Sequence, residues 1–61
     1  MRIHTEMANG ATSRGYEVEA EDMAATWFDR IKFQLTEMGF VGDLVLSDQG
    51  IDVKREKINA A

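Results

Sequence analysis

The sequence predicts an α+β fold in which one amphipathic helix packs on one face of a small antiparallel sheet, in the order ββαββ. Two segments in the first third of the chain and two in the last third alternate apolar and polar side chains, as half-buried strands do. Between them, from Asp22 onward, apolar residues recur every three or four positions, which is the spacing of one helical face. A chain of 61 residues has room for one hydrophobic core, so we expect a single domain spanning residues 1–61.

The first predicted strand covers Arg2 to Ala8, where Ile3, Thr5 and Met7 alternate with polar residues. Asn9-Gly10 is a strong hairpin signal, although the polar residues that follow it leave open whether the connection is a tight turn or a longer loop. The sequence thus predicts that the first two strands pair antiparallel.

The second predicted strand covers Tyr16 to Ala20. Its alternation places Tyr16 and Val18 in the core, and Glu17 and Glu19 toward solvent. Tyr16 is therefore interpreted as a core residue.

The predicted helix begins at Asp22, which can cap its first turn, and ends at Gly39, which suits a left-handed stop. Trp27 and Phe28 are interpreted as core residues, whereas Phe33 lies about 120° from the centre of the apolar face and is expected to point outward. The apolar face is formed by Met23, Ala24, Trp27, Phe28, Ile31, Leu35 and Met38.

The last two strands are predicted over Asp43 to Ser47 and Ile51 to Glu56, joined by a short turn in which Gly50 takes a positive φ. With the helix on one face of the sheet, the other face is left open. By alternation the open face carries the polar residues Glu17, Glu19, Asp52 and Lys54.

Composition narrows the chemistry available to the chain. It has no Cys and no Pro, so it forms neither a disulfide nor a thiolate zinc site. Seven Lys and Arg against eleven Asp and Glu give a net charge of −4, which opposes direct binding of nucleic acid and favours a partner with a basic surface. The N-terminus turns polar at once, and no apolar run approaches the ~18 residues of a membrane span. We therefore expect a cytoplasmic protein that contacts neither membranes nor nucleic acid.

Catalytic groups are scarce in this sequence. His4 is the one histidine, and the carboxylate pairs Glu17 with Glu19 and Asp22 with Asp29 need a sheltered pocket before they can divide acid and base roles. A domain with one helix is not expected to hold a cavity of ~300 Å³. Its glycines match no phosphate-binding loop. We expect no enzyme activity, no cofactor and no metal.

Two features indicate a binding surface instead. Phe33 is an outward-facing ring among carboxylates on the predicted helix, and four acidic residues fall within six positions where the second strand meets the helix. There are two alternatives: Phe33 packs against the N-terminal loop or Phe40, or the carboxylates serve solubility alone. The predicted partner-binding residues are Glu17, Glu19, Glu21, Asp22, Asp29, Phe33 and Glu37.

In size, acidity, lack of Cys and the pattern of one helix on an antiparallel sheet, the chain resembles the small phage-encoded anti-CRISPR proteins. The resemblance covers the whole chain and involves no shared motif. It implies an inhibitor that occupies the nucleic-acid-binding surface of a CRISPR effector, with Glu17, Glu19, Glu21 and Asp22 in the place of phosphates. The alternative is a structural or antitoxin-like domain that forms a homodimer through its sheet.

Overall fold

A computed structural model describes residues 1–7, 9–19 and 21–59, with only the backbone described at Glu21. The predicted order ββαββ is confirmed. Ala8 and Ala20, the predicted ends of the first two strands, lie outside the described residues. The elements are β1 (Arg2–Glu6), β2 (Tyr16–Glu17), α1 (Glu21–Met38), β3 (Gly42–Asp48) and β4 (Ile51–Ile58).

The four strands form one antiparallel sheet in the order β2-β1-β3-β4. The chain crosses the sheet through α1, so that β3 pairs with β1 on one side and with β4 on the other. As the strand between those two, β3 is buried from Leu44 to Ser47. Its side chains are therefore buried on both faces of the sheet.

The core lies between α1 and the sheet. Phe28 and Ala24 are fully buried on the helix. The strands contribute four further buried side chains, and Val18 closes the cluster beside β2. The buried strand residues are Ile3, Leu44, Leu46 and Ile58. Ile58 lies beyond the predicted end of the fourth strand, which continues two residues past Glu56 into the core.

The helix is fastened to the β4 side of the sheet by three contacts. The ammonium of Lys54 lies 4.8 Å from the centre of the Phe28 ring. Lys32 forms an ion pair with Glu56. The Asn59 side-chain amide donates to the carbonyl oxygens of Thr36 and Phe40, at 3.2 and 3.0 Å. These contacts hold α1 over β3 and β4.

The predicted core positions of Trp27 and Tyr16 are wrong. Trp27 is 43% exposed and Tyr16 is 68% exposed. Because α1 lies over β3 and β4, the side of its apolar face that points toward β2 meets no packed layer. Met23 and Met38, also in the predicted apolar face, are exposed for the same reason.

The predicted place of Lys54 on the open face of the sheet is also wrong. Leu46 pairs with Lys54, but the next residue, Ser47, pairs with Asp52, so β4 carries one extra residue at Val53. This bulge puts Lys54 and Asp52 on opposite faces, although strict alternation puts them on the same one.

The ends of α1 differ in how well the sequence predicted them. Gly39 ends the helix at φ +78°, as predicted. Its N–H donates to the carbonyl oxygen of Thr36 at 3.2 Å. Asp22 is not the capping residue, because the helix already includes Glu21. The Asp22 carboxylate accepts from the N–H of Met23 at 2.9 Å, inside the first turn.

The hairpin between β1 and β2 continues past the strand ends. Glu6 bridges to Thr12, and Ser13 donates its N–H to the Thr5 carbonyl oxygen at 2.9 Å. Arg2 pairs with Glu17, so four steps along β1 correspond to five on the returning strand. The extra residue lies beside Gly15, whose φ is +79°. The connection is therefore a paired hairpin with a bulge, not an extended loop.

Replacement of Gly15 tests this bulge, and Gly39 is the matched control because its φ is nearly the same. A Cβ at Gly15 would lie 2.3 Å from the Ile3 carbonyl oxygen, whereas a Cβ at Gly39 meets nothing within 4 Å. We expect Gly39→Ala to lower the free energy of unfolding by about 1–2 kcal/mol through the left-handed backbone alone. Gly15→Ala should cost roughly 1–3 kcal/mol more, because β1 has to move. Denaturant titration measures both, and equal losses would contradict the bulge contact.

Candidate functional site

An apolar groove lies between α1 and β2, at the edge of the sheet opposite β4. Its floor includes the buried side chain of Ile3, and its walls are α1 on one side and β2 on the other. The groove has a volume of about 540 Å³ at the end where α1 begins. Its lining residues are Ile3, Tyr16, Glu17, Val18, Glu19, Met23, Trp27, Ile31 and Gln34.

The groove continues toward the end of α1 as a second section of about 480 Å³. The two sections share Ile3, Tyr16, Ile31 and Gln34. Wall residues on the helix run from Met23 to Met38, which corresponds to about 22 Å at 1.5 Å per residue. The groove therefore follows α1 over most of its length.

Charge differs between the two ends of the groove. The charged residues that line the first section are Glu17 and Glu19. Glu17 accepts from the Arg2 guanidinium at 2.9 Å and remains exposed, while Glu19 has no ion pair among the described residues. Arg14 lines the second section. Glu17 shares the face of Arg2, opposite Tyr16, and Arg30 lies over the Trp27 ring. The carboxylate at this end without an ion pair in the described part of the chain is therefore that of Glu19, while Arg14 stands at the other end.

The predicted partner-binding residues divide between two places. Glu17 and Glu19 stand at the acidic end of the groove. Phe33 is 66% exposed, and 100° per residue places it with Asp22, Asp29 and Glu37 on the outer face of α1, away from the sheet. The side chain of Glu21 lies outside the described part of the structure.

The groove residues Tyr16, Met23 and Trp27 were missed as candidate binding residues. One signal in the sequence could have found those on the helix. From Met23 to Phe28 the apolar face spans about 140°, wider than the ~100° that is the minimum for a helix on one layer, so one edge of it can stay exposed. The groove is open along its length, so it is a different kind of space from the sheltered cavity of ~300 Å³ considered from the sequence.

The open face of the sheet is covered by the molecule's own charged side chains. The Arg55 guanidinium donates to Glu6 and Asp43 at 2.8 Å each and to Asp52 at 3.0 Å. Val45 points to this open face, because its neighbours Leu44 and Leu46 point to the helix face and enter the core. Val45 is nevertheless fully buried. Three carboxylates therefore meet one guanidinium above a sealed apolar residue.

The charge of Arg55 fixes the ionisation of Glu6. Its hydrogen bond, with a smaller contribution from that of His4, lowers the pKa of Glu6 from 4.5 to about 2. Because the ionised Glu6 can only accept, the His4 Nε2 at 3.0 Å carries the proton. The buried Nδ1 of His4 has no hydrogen-bond partner among the described groups.

Comparison with family models, with curated proteins and with solved structures found no match to this chain. Over residues 1–7, 9–19 and 21–59, no helix is long and apolar enough to cross a membrane. In the same ranges no three His, Asp or Glu side chains are placed to hold a metal ion. The function is therefore argued from the geometry of the groove and its charges.

Substitutions at Arg55 and His4 test the order of the two causes that act on Glu6. We expect Arg55→Met to raise the pKa of Glu6 toward 4.5 by more than His4→Leu does, since the guanidinium bond is the larger cause. Titration of the Glu6 carboxyl carbon by NMR measures this directly. A larger effect from His4→Leu would contradict the network.

The same shift makes Glu6 a source of acid sensitivity. Its pKa is lower in the folded chain than its ordinary value of 4.5, so the ionised carboxylate stabilises the fold above pH 4.5, and that contribution is lost as the pH falls toward 2. Glu6→Gln should therefore flatten the decline of unfolding free energy across this range. An unchanged decline in the variant would show that Glu6 is not a source of it.

Proposed function

We propose that the protein is a non-enzymatic interaction module that binds a protein partner through the groove between α1 and β2. The partner presents an apolar patch bordered by Lys or Arg. One observation carries the proposal: Tyr16, Met23 and Trp27 are all at least 43% exposed, and they line one groove whose end is acidic. Exposed aromatic side chains gathered in a concave surface are the usual anchors of protein interfaces.

The chemistry of the groove supports a protein partner over a small substrate or a nucleic acid. Its walls are mostly apolar, and its two carboxylates are exposed, so neither is held in the sheltered setting that acid and base catalysis needs. Glu17 and Glu19 repel phosphates, and the net charge of −4 does the same at longer range. A basic protein surface is attracted both by these carboxylates and by the net charge.

A partner of this chemistry includes proteins whose own function is to bind nucleic acid. Their binding surfaces carry Lys and Arg, and a module that covers such a surface inhibits it. This is the inhibitor role implied by the resemblance to anti-CRISPR proteins, with a CRISPR effector as one such partner. The inhibitor role is supported by the negative charge at one end of the groove and by the net charge of the chain.

Self-association through the open face of the sheet has less support. That face is covered by Arg55 and its three carboxylates, which already bury Val45. A second copy would have to displace these hydrogen bonds to reach an apolar surface, and the cost of unpaired charges opposes it. The groove exposes apolar side chains without any such displacement.

Two exposed aromatic residues offer a matched pair of variants for testing the groove. Tyr16 in the groove is 68% exposed and Phe33 on the outer face of α1 is 66% exposed, so removal of either ring has little effect on folding. A random peptide library displayed on phage supplies the probe. We expect wild-type protein to enrich peptides that combine apolar residues with Lys or Arg, and Tyr16→Ala to weaken their binding about tenfold or more. Phe33→Ala should bind them as the wild type does.

Two results would contradict the proposal. Enriched peptides that bind Tyr16→Ala as tightly as the wild type would show that the groove is not the site. Loss of binding in Phe33→Ala alone would place the site on the outer face of α1. The affinities are measured with the purified variants by isothermal titration, after circular dichroism has shown that both fold.

A further inference from the structure

We infer that the segment bound in the groove is an amphipathic α-helix of the partner, lying beside α1 on the β1–β2 half of the sheet. The inference rests on the proposed function and specifies which structural element of the partner enters the site. It follows from the width of the sheet, the length of the groove, the distribution of charge and the irregular outer edge of β2.

The sheet is wider than one helix, and α1 is held nearer its β4 edge. Four strands at ~4.8 Å spacing place the outer strands about 14 Å apart, and packed helices lie 8–10 Å from each other. The contacts of Lys54, Lys32 and Asn59 hold α1 over β3 and β4. Ile3 of β1 is already buried in the core beneath α1, so the space that remains lies above β2 and beside α1.

The length and lining of the groove fit the same element. The two sections join along α1 over about 22 Å, which is four turns of helix. Ile3 forms the floor, Tyr16 stands on one side and Trp27 on the other. A helix with apolar residues at positions i, i+3, i+4 and i+7 presents one continuous stripe to such a groove.

The charges at the two ends specify the polar residues of this helix. Glu19 at one end, where Glu17 is already paired with Arg2, is matched by Lys or Arg beside the apolar stripe. Arg14 at the other end is matched by Asp or Glu. A peptide with this order of charges fits better than one with the order reversed.

An extended segment added to the outer edge of β2 fits less well. Strand β2 has two residues, and the extra residue beside Gly15 interrupts the pairing just before it. A strand that pairs with this edge would find no regular ladder of N–H and C=O groups.

A second copy of the chain also fits less well. The exposed face of its α1 carries Asp22, Asp29 and Glu37 around Phe33. These carboxylates would come to lie against Glu17 and Glu19, and like charges oppose such an approach.

Two synthetic peptides of the length of α1, 18 residues, test the inference. Both contain the same Leu, Ala, Gln, Lys and Glu residues, with Lys toward one end and Glu toward the other. One places Leu at helical spacing and the other places Leu at every second position. Trp27 is the single tryptophan of the chain and lines the groove, so its fluorescence reports occupation of the site.

We expect the helical peptide to shift the Trp27 emission to shorter wavelength and to bind about tenfold tighter than the alternating peptide. Its far-ultraviolet circular dichroism should gain helix on binding. Tyr16→Ala should reduce the affinity, and Phe33→Ala, the matched control, should keep it. A third peptide with the Lys and Glu ends exchanged should bind more weakly than the first.

Each of the other outcomes has a distinct meaning. Equal or tighter binding of the alternating peptide overturns the inference of a helix and leaves the groove as a protein-binding site. No Trp27 response to any of the peptides overturns the proposed function as well. Binding by the helical peptide that Phe33→Ala abolishes and Tyr16→Ala does not would place the helix on the outer face of α1, against the inference.

Discussion

One helix covers a sheet of four strands, and the side on which it is fastened determines the rest of the molecule. Phe28 is fully buried beneath α1, and the ammonium of Lys54 on β4 lies against its ring. The Lys32–Glu56 ion pair and the Asn59 hydrogen bonds act on the same side. Exposed ion pairs contribute little individually, but these contacts share a direction and place α1 over β3 and β4. Exposure of Tyr16 and Trp27 is the direct consequence.

The two faces of the sheet cover their apolar side chains in different ways. On the open face, Arg55 and its carboxylates cover Val45, so an apolar side chain is sealed by long charged ones. On the helix face, the strip above β2 has neither a helix nor a charged network above it. The groove is therefore where this fold exposes apolar surface in a concave form, and the proposed partner would bury it there.

Periodicity was sufficient for the order of elements, the antiparallel pairing within each of the two hairpins and the outward position of Phe33, because each depends on residues that are close in sequence. It was insufficient for Tyr16 and Trp27, whose exposure depends on the lateral position of α1 on the sheet. That position is set by Lys54, and a bulge at Val53 turns Lys54 to the helix side. A single extra residue in a strand reverses the face of every side chain beyond it, and no local pattern revealed it. The acidic residues were found, but their separation into a groove end and an outer helix face was not.

Solubility and binding are compatible roles for the acidic residues of this chain. A domain that exposes Tyr16, Met23 and Trp27 together has an apolar surface on which copies can associate. A net charge of −4 makes copies repel one another, so it opposes that association while it attracts a partner of opposite charge. Glu17 and Glu19 stand at the end of the groove, where both effects are strongest. On the proposed function, the same carboxylates oppose association of copies of the chain and select the charge of what enters the groove.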